Sequence, residues 1–159
     1  LRDVAVGMRT ARMAVRMAAD QHMGDLYPFT LADKLRRITE PSDRYAQIVP
    51  FEMLSVLMNH VARDLPFPAR GPAVGLFADQ EIRLLAGPVK VGAAYELDRE
   101  VVALSGSRKT ESMWVRTRLF HPGGEEPIAT MLLNTATLKA SYPTYEQEFS
   151  QLYGAQADA

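Results

Sequence analysis

Apolar and polar positions recur along this chain with two different periods, and the change from one to the other divides it. From Pro50 to about Asp64, Met53, Leu54, Leu57, Met58 and Val61 stand at i, i+1, i+4, i+5 and i+8, which predicts a helix with a wide apolar stripe. Pro50 suits its first turn, where a missing N–H costs nothing, and Leu65-Pro66-Phe67-Pro68 forbids continuation. A helix of ~14 residues is about 20 Å long. After a Pro- and Gly-rich linker at 66–75 a period of two takes over, predicting strands over 76–86, 93–104, 110–120 and 127–139. In the second of these Tyr95, Leu97, Val101 and Ala103 alternate with Glu96, Asp98 and Glu100; in the third Met113, Val115, Thr117 and Leu119 alternate with Trp114, Arg116 and Arg118.

Ahead of the helix, residues 1–19 read as a lead-in and a first strand, with Met13, Val15 and Met17 set against Arg12, Ala14 and Arg16. Residues 20–47 are mixed, carry Pro28 and Pro41, and predict short helical turns. The strand turns are signalled by Ala86-Gly87-Pro88, Ser105-Gly106-Ser107 and His121-Pro122-Gly123-Gly124. Spacing this tight favours an antiparallel meander, because parallel neighbours need long crossovers. One apolar helix between an early strand and a later antiparallel set needs a sheet that wraps it, since a bare sheet leaves an apolar face in water. The expected fold class is therefore α+β, an antiparallel sheet wrapped around one long central helix: the hotdog arrangement.

Composition narrows the function classes. The chain has 159 residues, enough for one domain with one core, so residues 1–159 are expected to form a single hotdog domain. The formal net charge of -1 offers no concentrated basic face for nucleic acid or a membrane surface. Cysteine is absent, which excludes disulfides, thiolate metal ligands and a catalytic Cys, and suits a cytoplasmic protein. No apolar run approaches the ~18 residues that span a bilayer. The first residue is Leu1, which is expected of a processed chain or of a piece of a longer one.

Gly24-Asp25-Leu26-Tyr27-Pro28-Phe29-Thr30 resembles the catalytic loop of the MaoC-like hydratases and dehydratases, Gly-Asp-x-Asn-Pro-(Leu/Ile/Val)-His. Tyr27 stands for Asn, Phe29 for a smaller aliphatic residue, and Thr30 for His. Val4-Ala5-Val6-Gly7 resembles the family's lead-in, Ile48-Val49-Pro50-Phe51-Glu52-Met53-Leu54 its Ile-Ala-His-Gly-Met-Leu helix start, and Gly87-Pro88-Val89-Lys90-Val91-Gly92 its Pro-Val-x-Pro-Gly. The resemblance covers most of residues 3–140. It implies a site in which Asp25 and the residue at position 30 activate one water, which adds to or leaves an enoyl thioester, while N–H groups at the helix start polarise the thioester carbonyl. It implies a substrate carried on coenzyme A or phosphopantetheine with no further cofactor, and as partners a second hotdog, as a homodimer or as a tandem or heterodimeric partner, with acyl-carrier protein as a further candidate.

Thr30 cannot accept a proton at neutral pH without a base to receive it. The base is then expected from another residue, or the reaction is different, or the pocket is kept without the reaction. His22, three residues before Asp25, is a candidate base, with a surface or capping histidine as the alternative; His60 reads as a hydrogen-bonded boundary residue and His121 as a turn residue. Glu52 is a candidate base of the thioesterase or dehydratase kind, or a first-turn carboxylate favoured by the helix dipole. Asp25 itself has an alternative as a turn cap. Tyr27, Pro28, Phe51 and Met53 are expected at the acyl pocket, and Arg108 and Lys109 are candidates for pairing with carrier phosphates. The histidine spacing predicts no metal site. The leading expectation is a hydratase or dehydratase of acyl thioesters; second comes a non-catalytic acyl-binding or partner subunit; third, resting on Glu52, an acyl thioesterase.

Overall fold

The computed structural model describes residues 1, 3–22, 28–40, 42–43, 45–60 and 66–154. Its frame is an antiparallel sheet of five strands, β1 (Met13–Arg16), β2 (Gly75–Leu84), β3 (Ala94–Gly106), β4 (Thr110–Phe120) and β5 (Ala129–Leu138), in the order β1-β3-β4-β5-β2. Helix α1 (Leu31–Thr39) precedes the central helical segment, residues 51–60, and α2 (Tyr145–Tyr153) follows the sheet. The α+β hotdog class expected from the sequence is what the chain adopts.

Alternation decides the inner face. Tyr95, Leu97 and Val101 of β3 and Val115, Thr117 and Leu119 of β4 are buried, joined on β5 by Ala129, Met131 and Leu133. Leu54, Leu57 and Met58 of the central segment are almost wholly buried with them. Each buried Val, Leu or Met among them contributes about 1.5–3 kcal/mol by leaving water. A bulge between Val101 and Ala103 shifts the register there and ends the strict alternation that the sequence showed. Arg99 sits opposite Thr117 on this same face and is buried, with its guanidinium 5.5 Å from the Phe67 ring.

Three expectations are corrected. The four later strands do not form one meander: β3, β4 and β5 do, but β2 lies beyond β5 at the far edge, paired with it from Gly75↔Thr137 to Leu84↔Ala129. Residues 85–93 therefore form a crossing connection. Val49 N–H donates to Val89 O at 2.8 Å and Val91 N–H to Gln47 O at 2.9 Å, so this connection clips the chain entering the central helix. Gly92, at φ +75°, turns it into β3 in a backbone conformation that suits glycine. The central helix is not regular either: it opens with a 3₁₀ turn, Phe51–Met53, and continues as a π turn, Val56–His60. Pro50 caps it from outside, with ψ at 144°. The predicted continuation from 61 to 64 falls outside the described residues. Finally, α1 is a full helix rather than short turns, and α2 was not anticipated. Among the described residues no helix is long and apolar enough to cross a membrane.

Helix α2 carries a carboxylate that gathers several of its contacts. Glu148 accepts hydrogen bonds from the Tyr142 hydroxyl at 2.6 Å and the Thr144 hydroxyl at 2.7 Å and pairs with Arg70, which also holds Asp3. The two hydroxyls first and then the guanidinium bring its pKa from 4.5 down to about 2. A depressed carboxylate pKa stabilises the fold above its unfolded value and loses that contribution as pH falls through the folded one. Between pH 4.5 and 2 the protein should thus shed α2 contacts. The melting temperature of Glu148→Gln should fall less steeply than that of the wild type across this window; parallel curves would show that the clamp does not hold the helix.

Candidate functional site

The start of α1 is built by residue 30. Thr30 is its N-cap, with extended backbone, and accepts a hydrogen bond from Asp33 N–H at 3.2 Å. Asp33 Oδ2 in turn accepts from Thr30 N–H at 3.2 Å and from the Thr30 hydroxyl at 2.9 Å, a reciprocal capping box. These bonds, the hydroxyl's first, hold the Asp33 carboxyl below its ordinary pKa. The Thr30 hydroxyl both donates and accepts within the cap, so its one proton is committed to structure.

The preceding segment lies against this cap. Leu31 N–H donates to Gln21 O at 3.0 Å and Ala32 N–H to Ala19 O at 2.7 Å, and His22 is bridged antiparallel to Thr30. Residues 19–22 are thereby held against the start of α1. Asp25 and Tyr27 lie outside the described residues. Pro28 is exposed, and Phe29 packs on the core below the Arg37 guanidinium, 5.3 Å away.

The first turn of the central helix stands one helical turn along α1. Lys34 Nζ is 3.1 Å from Glu52 Oε1. The Glu52 carboxylate also bonds its own backbone N–H, and this bond first, then Lys34, keeps its proton affinity below normal. Its side chain is more than half exposed. Glu52 is thus a solvent-facing carboxylate joining two helices, a setting that weakens it as a base.

Beside this turn lies a cavity of about 300 Å³, walled by Ile38 of α1, Tyr45, Phe51 and Leu54 of the helix entry, Leu84 of β2 and Val89 of the crossing connection. Its lining residues carry no charge. Phe51, expected at the acyl pocket, is one of the residues lining this cavity. Met53 is buried in the core and does not line the cavity. Arg108 and Lys109 are exposed in the β3–β4 turn, at the end of β3 away from the helix start. A strand of 13 residues spans about 40 Å, so within one chain they stand far from the cavity. His121 lies in its turn with its ring 5.7 Å from that of Tyr95, and the side chain of His60 is outside the described residues. Among the described residues no cluster of His, Asp and Glu side chains is arranged to hold a metal ion.

Sequence reasoning missed Ile38, Tyr45, Leu84 and Val89 as cavity walls and Asp33 as the cap partner. Thr30 and Asp33 at N-cap and N3 are a readable capping signal. Nothing in the local pattern brings Leu84 beside Phe51, because that depends on where β2 sits.

No protein-family model matches the chain, and no curated protein matches it by sequence. Solved structures do match in fold. The MaoC-like dehydratase from Rhodospirillum rubrum has a TM-score of 0.59 at 16% identity, over 87% of this chain and 95% of that one. The HadBC (3R-hydroxyacyl-ACP dehydratase) complex from Mycobacterium tuberculosis gives 0.59 at 14% identity, over 86% and 99%. The (R)-hydratase from A. caviae involved in PHA biosynthesis gives 0.53 at 20% identity, over 85% and 98%.

Thr30→Ala should cost about 1 kcal/mol through loss of the cap, lowering the melting temperature by roughly 2–4 °C in a chain of this size. Thr30→Ser should cost less; equal losses for the two would show that the hydroxyl does not cap α1. With the sheet order, the wrapped helix and these likenesses together, the chain is a hotdog-fold protein.

Proposed function

We propose that this protein is a hydratase or dehydratase of acyl thioesters, with the acyl group in the cavity at the start of the central helix. The cavity carries the reading: it is uncharged, and it abuts the turn where a helix presents N–H groups and the positive end of its dipole. At about 300 Å³ it stands at the small end of ligand pockets. A 150 Å³ apolar cavity takes a benzene, so this one has room for an acyl group of roughly a dozen carbon atoms. The thioester carbonyl would meet the helix start, and Asp25, the residue retained from the resembling motif, would act on the water. The activities named for the similar dehydratases and hydratase support the same reaction class. The carrier, coenzyme A or phosphopantetheine, supplies the thioester.

We further propose a second hotdog subunit. Among the described residues β2 has no strand partner along one edge, and Val74, Leu76, Phe77, Leu84 and Leu85 are exposed on it or at its ends. Unpaired edges of this kind invite pairing, and one of the similar structures is a complex. Leu84 lines the cavity and borders the free edge, so a covering subunit would also complete the site. Antiparallel β2–β2 pairing about a two-fold would set the Leu84 end of one chain against the Gly75 end of the other. The β3–β4 turn flanks that Gly75 end across two further strands. Arg108 and Lys109 would then serve phosphates at the other chain's site, which they do not reach in their own.

A second reading, a partner subunit that binds acyl groups without reacting, is favoured by the locked hydroxyl of Thr30. Glu52, paired and exposed, lends least to a thioesterase.

Loss of conjugated thioester absorbance on trans-2-enoyl-CoA of short and medium chain should occur with wild type and fail with Asp25→Asn. Silence from folded wild type would transfer the assignment to the partner subunit. Light scattering should give twice the chain mass, with Phe77→Lys returning a monomer; a wild-type monomer would refute the edge pairing.

A further inference from the structure

The cavity at the helix start has a neighbour. Thr39 of α1 lines it and also lines a second hollow, of about 440 Å³. The floor of this hollow is one face of α1, since Ala32, Leu35, Arg36 and Thr39 stand at i, i+3, i+4 and i+7. A rise of about 1.5 Å per residue makes that face about 10 Å long. The opposite wall is continuous with the cavity as well. Val91 N–H donates to Gln47 O and Val49 N–H to Val89 O, with Ile48 bridged antiparallel to Lys90, so residues 47–49 and 89–91 form one short clip. Gln47 and Val91, at one end of the clip, line the hollow; Val49 and Val89, at the other, line the cavity.

The lining limits what the hollow can hold. Ala19, Ala32 and Ala46 leave space where larger side chains would fill it, and Leu35 and Val91 add apolar surface. Ala19 marks the far end, where its carbonyl accepts from Ala32 N–H at 2.7 Å. The polar side chains are engaged or stand at the rim. Arg36 is exposed and paired with Asp33 at 3.2 Å, the Thr39 hydroxyl donates to Leu35 O at 2.7 Å, and Gln47 is exposed. A phosphopantetheine arm brings amides and a phosphate that need partners, which these committed groups do not supply. A hydrocarbon chain needs none and gains by leaving water.

Building on the acyl-thioester reading above, we propose that the cavity and this hollow are two lengths of one acyl channel, and that the protein takes long-chain acyl groups. The thioester stays at the helix start and the first part of the chain fills the 300 Å³ cavity. The tail then passes Thr39 and lies along α1 toward Ala19. The carrier leaves on the other side, past Leu84, toward the β2 edge. Thr39 is the junction, so a short acyl group leaves the hollow to water while a long one covers Leu35 and Val91. Each methylene seated there raises affinity about fourfold. The hollow thereby selects for chain length, and the small side chains at 19, 32 and 46 are what keep it open.

Calorimetric titration of the full chain with octanoyl-CoA and hexadecanoyl-CoA, both saturated and inert to hydration, reads the channel without turnover. Wild type should bind the longer thioester at least about tenfold more tightly, and Ala46→Leu, which adds bulk to the wall of the hollow, should lower that ratio by about tenfold. Ala19→Leu, at an exposed position, shortens the far end and should lower the same ratio by less. Circular dichroism checks that both variants are folded, and Ala19→Leu decides the matter if Ala46→Leu is not. Equal affinities in the wild type, or a preference that the folded variants keep, would overturn the channel. Turnover separates this result from the reaction. Hydration of trans-2-octenoyl-CoA with no preference for the longer chain leaves the hydratase reading standing and the channel refuted. A preference erased by the variants, without turnover of trans-2-octenoyl-CoA or trans-2-hexadecenoyl-CoA, keeps the channel and transfers the protein to the acyl-binding reading.

Discussion

The structure depends on covering the inner sheet face with the helix that runs across it. Leu54, Leu57 and Met58 bury themselves against Leu97, Leu119 and Met131, and neither side is stable in water without the other. The segment is short and its hydrogen bonding passes from 3₁₀ to π, so it has little helical stability of its own. Burial holds it, and the mixed winding is tolerable because tertiary contact, rather than propensity, sets its path.

Once the helix is seated, its first turn is placed by two further constraints. The crossing connection bonds residues 47 and 49 through Val91 and Val89, which sets the helix entry against the sheet. Lys34 and Glu52 then join that entry to α1. The cavity is what remains between these parts: Val89 comes from the connection, Ile38 from α1, and Leu84 from the strand that the connection leaves. An apolar pocket at a helix start is therefore a product of the topology, and shifting the β2–β3 connection would remove its wall.

The inner strands were legible because each buries one face and exposes the other, as in Tyr95, Leu97 and Val101, and the apolar stripe from Met53 to Met58 located the helix. β2 was legible as a strand but not by position. Leu76, Phe77, Leu84 and Leu85 are exposed, so its pattern does not report which neighbour it has. Short turns around 86–88 resemble a hairpin, while Leu85 and Ala86 bond to Ile128, and Val89 and Val91 just beyond bond to residues 49 and 47, distant in sequence. The π winding was hidden as well, since the apolar stripe has nearly the same spacing in either winding over so few residues. At the site, Thr30 was read for the proton chemistry it lacks; its meaning lay three residues ahead, in Asp33.

The exchange at position 30 can be weighed in free energy. A threonine cap stabilises a helix by about 1 kcal/mol relative to a residue that does not cap. A positioned acid–base group lowers the barrier by about 2.7–5.5 kcal/mol, the equivalent of a rate factor of 10²–10⁴. A chain that depends on turnover gains nothing from trading the second for the first unless another group carries the proton. A chain that only binds gains a firmer α1 at no cost. The capping box, with hydroxyl and carboxylate bonded in both directions, is a complete structural solution at position 30. It therefore makes the two functional readings exclusive: either the proton moves through another residue, or the pocket receives its acyl group and leaves the chemistry to a partner.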